Sequence, residues 1–124
     1  MLQAAHACEV DVDRGPDWLF VRPRGKTFMG REAELAEQIW GLLEQSTTHR
    51  LVLEMDDIEL LVSSLIGQLI LLQKRIEIQC GMMRVCGLSA ANQLALETCS
   101  LGGYLPQYQD RTEAVMGGRP NRPR

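Results

Sequence analysis

Aromatic side chains are scarce in this sequence. Phe, Trp and Tyr make up 5% of its 124 residues, so aliphatic side chains must fill any core. A basic excess is also missing. The balance of 13 Lys and Arg against 16 Asp and Glu gives a net charge of −3. That argues against a nucleic-acid partner, which usually selects a basic stripe. Histidine is nearly absent. His6 and His49 stand far apart, and no CxxC spacing occurs among Cys8, Cys80, Cys86 and Cys99. Zinc takes about four ligands, so no metal site is expected, and the cysteines read as reduced, buried apolar side chains. Long apolar runs are lacking as well. Every one is broken by Gln, Glu or Lys before bilayer length. The N-terminal MLQAAHACEVD has neither a basic start nor an apolar core. The expectation is a cytoplasmic chain with no membrane contact.

Catalytic constellations are missing in the same way. A serine nucleophile needs a base that a third group orients, and none is evident near the serines. Asp56, Asp57 and Glu59 are close enough in sequence for acid–base work. They have no second catalytic group and read as a solvated acidic loop, able at most to steer a basic partner. The expectation is no enzyme and no cofactor.

What is present is periodicity. Residues 1–7 carry little pattern and are expected to be flexible. The tail 117–124 (GGRPNRPR) has no apolar content and is expected to be disordered and basic. Between them, 8–116 reads as one domain. Cys8–Val12 alternates, and Trp18–Arg22 is rich in β-formers, with a turn at Arg14–Asp17 between them. The pair predicts a hairpin. Gly30–Glu44 has helical spacing, with Ala33, Leu35, Ala36, Ile39, Trp40, Leu42 and Leu43 on its apolar side. Leu51–Leu53 is a strand covered on both faces. Ser64–Gln79 predicts a long helix, with Gly81 as its left-handed cap. Met83–Cys86 predicts a strand, and Ser89 the N-cap of a helix over Ala90–Cys99. Gly102-Gly103 breaks that helix. Leu105–Tyr108 and Thr112–Met116 suggest a short extended piece and a last helical turn. The fold class is therefore α/β: a small mixed β-sheet, with an opening hairpin and then parallel strands, covered by about four helices.

The most informative stretch is Leu51–Gly67, LVLEMDDIELLVSSLIG. It places Ser63 and Ser64 where a buried strand hands over to a helix. Such a position is electrically suited to an anion. Taken alone, a hydroxyl there is a helix cap worth about 1 kcal/mol.

This stretch, with MMRVCGLSAANQLALETCSLGGYLP and the helix-length spacing between them, resembles the STAS domain family over roughly Val10 to Val115. Members include bacterial anti-sigma factor antagonists, stressosome subunits and the cytoplasmic tails of sulfate transporters. Where members typically read Asp-Ser-Ser-Gly-Leu-Gly, this chain reads Val-Ser-Ser-Leu-Ile-Gly. The resemblance implies a regulatory protein-interaction module whose partner is an anti-sigma factor that is also a serine protein kinase. Ser63 falls on the phosphoacceptor, with Ser64 and Gly67 on the later hydroxyl and glycine. The implied partner surface is Asp56, Asp57, Ser63, Ser64, Leu65 and Gly67, with the exposed side of the helix that follows. Any nucleotide would belong to the partner, and a homo-oligomer is possible. Val62 stands where members carry Asp, and Leu65 where they carry Gly. These departures favour an alternative, a STAS domain that takes no phosphate and serves as an adaptor or oligomer subunit. An alternative of another class is a small-ligand or lipid-binding domain with Met82, Met83 and Met116 lining its pocket.

Overall fold

The sheet is built around a strand with no wet face. Leu51, Val52 and Leu53 are each 0% exposed, so both faces of that strand are covered, as the uninterrupted apolar run requires. A computed structural model describes residues 7–99 and 104–117. Their order is β1 (Val10–Arg14), β2 (Leu19–Pro23), α1 (Glu32–Glu44), β3 (Arg50–Glu54), α2 (Ser63–Ile78), β4 (Met82–Cys86), α3 (Ala90–Thr98), β5 (Gln107–Tyr108) and α4 (Arg111–Met116). The sheet runs β1-β2-β3-β4-β5. β1 and β2 form the antiparallel hairpin, and every later pairing is parallel. The expected mixed sheet with four helices is what the chain forms. The expectations for residues 1–6, for Gly102-Gly103 and for the tail beyond Gly117 lie outside the described residues.

Helices α1, α2 and α3 share one face. Leu35, Ile39 and Leu43 of α1, Leu65, Leu69 and Ile76 of α2, and Leu96 of α3 pack with Leu19, Val21, Leu51, Leu53, Met83 and Val85 of the strands. The opposite face holds Trp18, Phe20, Val52, Cys86 and Tyr108, closed by Ala114 of α4. Among the described residues the aromatics thus divide between the faces, with Phe28 and Trp40 on the helix side.

α4 is only six residues long, and charge holds it down. Arg111 donates to both oxygens of Glu54, at 3.1 and 2.8 Å, and to Asp13 at 2.7 Å. Its guanidinium lies 4.1 Å from the Phe20 ring centroid. Hydrogen bonding to Glu54 holds Arg111 above its ordinary pKa. Arg84 donates to the Ala114 carbonyl at 2.7 Å and stacks against Trp18 and Tyr108. Burial, reinforced by Glu54 and Asp56, pushes the Cys86 thiol up to about 12, so it stays protonated and inert.

Two local expectations need correction. β1 starts at Val10 rather than Cys8. The Gln38 side chain of α1 takes the Cys8 backbone instead, accepting from its N–H at 2.8 Å and donating to its carbonyl at 2.7 Å. The second correction is at the end of α2, where the left-handed residue is Cys80 (φ 61), not Gly81. Cys80 N–H bonds Glu77 O and Gly81 N–H bonds Ile76 O, the paired closure of a Schellman motif. Gly81 is needed for another reason: a Cβ there would lie 2.1 Å from the His49 carbonyl oxygen.

These contacts set the expected effect of three substitutions on stability. Gly81→Ala is expected to destabilise by about 2 kcal/mol through that clash, whereas Cys80→Gly stabilises by up to about 1 kcal/mol by relieving left-handed strain. Arg111→Met leaves the Glu54 carboxylate buried with only Arg22 at 3.7 Å, and is expected to cost about 3 kcal/mol. Urea unfolding of each variant measures the change.

Candidate functional site

The segment from β3 to α2 is anchored at nearly every residue. Met55 N–H bonds the Cys86 carbonyl at 2.9 Å, so the chain leaves the sheet beside β4. Asp56, Asp57 and Glu59 were expected to form a solvated acidic loop. Asp56 and Glu59 are exposed and Asp57 half-buried, so the loop is solvated as expected. Each residue also pairs with a basic side chain of β2 or the turn after it: Arg22–Asp56 at 3.6 Å, Arg24–Asp57 at 3.1 Å and Lys26–Glu59 at 3.6 Å. The Lys26 carbonyl also accepts from Glu59 and Leu60 N–H. Exposed pairs of this kind each contribute about 0–1 kcal/mol. Their main effect is to neutralise the loop, leaving little bare acidity for steering. From the far side, the buried Asn92 side chain of α3 accepts from Leu61 N–H at 3.0 Å and donates to the Ile58 carbonyl at 2.8 Å.

The start of α2 differs from a simple capping arrangement. Its N-cap is Val62, with extended backbone and no side-chain cap bond. Neither serine caps the helix. Leu65 and Ile66 N–H both reach the Val62 carbonyl, and the N–H groups of Ser63 and Ser64 have no partner among the described residues. Ser64 is exposed, but its hydroxyl donates to Glu32 Oε2 of α1 at 2.8 Å. That bond, more than any other contact, holds the Glu32 carboxyl below its ordinary pKa. Ser63 is exposed and its hydroxyl has no hydrogen-bond partner among the described residues. Leu65 is 1% exposed and belongs to the core. It supports the expected partner surface from beneath and does not form part of it. Gly67 is half-buried, with open space where a Cβ would stand.

Ser63 lies on the rim of an open cleft of about 330 Å³ between α2 and α3, lined with it by Leu61, Ile66, Ala95, Thr98 and Cys99. The α3 side was not anticipated from the sequence. Its one visible signal was Asn92, a polar residue on the apolar stripe that Leu96 and Cys99 continue. The methionine expectation does not hold together as a single pocket. Met83 is core on the helix face, whereas Met82, its neighbour in β4, points to the other face. Among the described residues, no helix is long and apolar enough to cross a membrane.

Chemically, the site offers one accessible hydroxyl beside two free backbone N–H groups at the positive end of a 16-residue helix. No acidic residue lies in the first turn of that helix. Nothing among the described residues hydrogen-bonds the Ser63 oxygen as a base.

The STAS domain family model matches residues 9–114. No curated protein matches the chain significantly. Its fold is similar to an anti-sigma factor antagonist from Mycobacterium paratuberculosis (19% identity, 94% of this chain and 97% of that one, TM-score 0.74). It also resembles an anti-sigma-factor antagonist (STAS) domain protein from Planctomyces limnophilus (17% identity, 87% and 96%, TM-score 0.69). A third likeness is the Bacillus cell fate determinant SpoIIAA in its phosphorylated form (13% identity, 90% and 100%, TM-score 0.63).

The Ser64–Glu32 bond predicts a pH effect of definite sign. A carboxyl with a depressed folded pKa stabilises above the ordinary glutamate range, and that contribution is lost as pH falls through the folded value. Ser64→Ala is expected to destabilise at neutral pH and to lose its effect in acid, with the Glu32 carboxyl titrating closer to its ordinary value by carbon-13 NMR.

Proposed function

The chain belongs to the STAS domain family, and from that premise we propose that it is a regulatory protein-interaction module of the anti-sigma factor antagonist type, switched at Ser63. The partner is an anti-sigma factor with serine kinase activity in the bacterial cytoplasm. The unmodified chain binds it, and phosphate on Ser63 releases it. The observation that carries this reading is the difference between the two serines. Ser64 is held by Glu32, whereas the Ser63 hydroxyl is exposed, without a partner among the described residues, and set beside a cleft.

The surroundings favour a charge arriving there. Phosphoserine brings nearly two negative charges. The helix dipole and the free N–H groups of Ser63 and Ser64 offset part of that charge. The nearby Asp56, Asp57 and Glu59 are matched by Arg22, Arg24 and Lys26. Val62 in place of the family aspartate removes one further like charge next to the phosphate. The fold therefore tolerates the modification. A partner surface fitted to a neutral hydroxyl does not, because it would face an uncompensated, desolvated charge.

The adaptor reading is weaker. It drew on both Val62 and Leu65, but Leu65 is buried, so its replacement of glycine alters the core and leaves the docking surface as it was.

Mass spectrometry of the chain after incubation with ATP in an extract of its own cells is expected to place phosphate on Ser63 and none on Ser64. Ser63→Asp is expected to keep the fold and weaken the anti-sigma partner by at least about tenfold, about 1.4 kcal/mol, in titration calorimetry. Unchanged affinity would remove Ser63 from the switch.

A further inference from the structure

We propose that Asn92 is the positioning residue of this site: its buried amide sets the backbone that presents Ser63 and couples that backbone to α3. The proposal rests on the reading of Ser63 as acceptor and adds how the acceptor is held. Asn92 is 2% exposed. A carboxamide in such a place is unfavourable unless both its ends are bonded. Both are, and both bonds go to one short segment. Oδ1 accepts from Leu61 N–H and Nδ2 donates to the Ile58 carbonyl, as a neighbouring strand would. The Asn92 backbone N–H is in turn fixed by the Ser89 hydroxyl at 3.1 Å, the N-cap of α3.

Segment 58–62 lies between β3 and α2 and has no ladder of its own. Lys26 holds its middle through Glu59 and Leu60, so Asn92 holds the two residues that flank that middle. Leu61 lies two residues before Ser63. The next carbonyl, that of Val62, is the acceptor on which α2 begins. A shift of the Leu61 amide is therefore transmitted directly to Ser63. Leucine would fill the same interior position with no polar group to satisfy. What the amide adds is direction. One and two turns along the same helix, Ala95 and Thr98 line the cleft that Ser63 borders. A group seated in the cleft bears on α3, and Asn92 carries that displacement to the acceptor.

The test uses the full chain with Asn92→Leu, which loses both bonds, and Asn92→Asp, which keeps only the acceptor for Leu61 N–H. Three readouts are taken: hydrogen exchange of the Leu61 amide against the β3 amides, the NMR shift of the Ser63 amide, and Ser63 phosphorylation by source-cell extract with ATP over a range of chain concentrations. For Asn92→Leu, β3 protection is expected to persist while Leu61 exchanges about tenfold faster. The Ser63 resonance should move, and kcat for phosphorylation should fall at least about tenfold with KM little changed. Asn92→Asp should keep Leu61 protection yet still shift Ser63 and lower kcat, and it carries the test alone if the leucine variant does not fold. A Ser63 resonance and kcat unchanged in a folded variant would overturn the proposal. If wild type takes no phosphate, the reading of Ser63 as acceptor fails. The exchange and shift measurements still decide whether Asn92 positions that residue.

Discussion

Everything in this domain depends on a strand buried on both faces. With Leu51, Val52 and Leu53 fully enclosed, β3 must have a strand on each side and a layer above and below. Its neighbours β2 and β4 both run parallel to it, and parallel neighbours need crossovers rather than tight turns. α1 and α2 are those crossovers, and they fall on one face. The other face is left to whatever follows β5, which is α4. The same constraint places the handover from β3 to α2 at the carboxyl end of the strands, where open α/β sheets characteristically carry their sites.

Charge arranges what apolar packing leaves open. Glu54 ends β3 with its carboxylate buried on the thinly covered face. That charge needs a partner, and the partner is Arg111, the first residue of α4. A helix too short to persist alone is thereby fixed over Cys86 and Tyr108. The acidic run after β3 is answered in the same way by β2 and its following turn. The electrostatics near Ser63 are thus largely settled within the domain, and a charge added at the serine would be the main local change.

The fold class was legible because its signals are local. The run at Leu51, the helical stripes at Leu35–Leu43 and Leu65–Ile76, and Ser89 before an apolar helix each announce themselves over a few residues. What was illegible depends on partners distant in sequence. Cys8 alternates with Val10 and reads as strand, but Gln38, 30 residues away, takes its backbone. Gly81 reads as the left-handed cap by composition. The Schellman closure places Cys80 there, and position 81 is restricted to glycine because a Cβ would run into the His49 carbonyl. Asp56, Asp57 and Glu59 are solvated as read, but their ion pairs were illegible because Arg22, Arg24 and Lys26 lie in β2 and the turn after it. Ser63 was singled out through the family pattern, whereas Asn92 and the α3 wall of the cleft were not.

Helical geometry explains how adjacent serines take unlike roles. Successive residues on a helix point about 100° apart. At the start of α2 this turns Leu65 into the core, Ser64 toward Glu32 of α1, and Ser63 toward solvent and the α3 cleft. One hydroxyl becomes a tie between helices, and the other stays available. The assignment follows from register alone: a one-residue slip of the chain would put Ser64 where Ser63 stands and Leu65 where Ser64 meets Glu32. Val62 sets that register by capping with its backbone only, and the Asn92 clamp on Leu61 and Ile58 holds Val62 where it caps. The identity of the accessible serine is therefore a property of the loop anchorage rather than of the serines themselves.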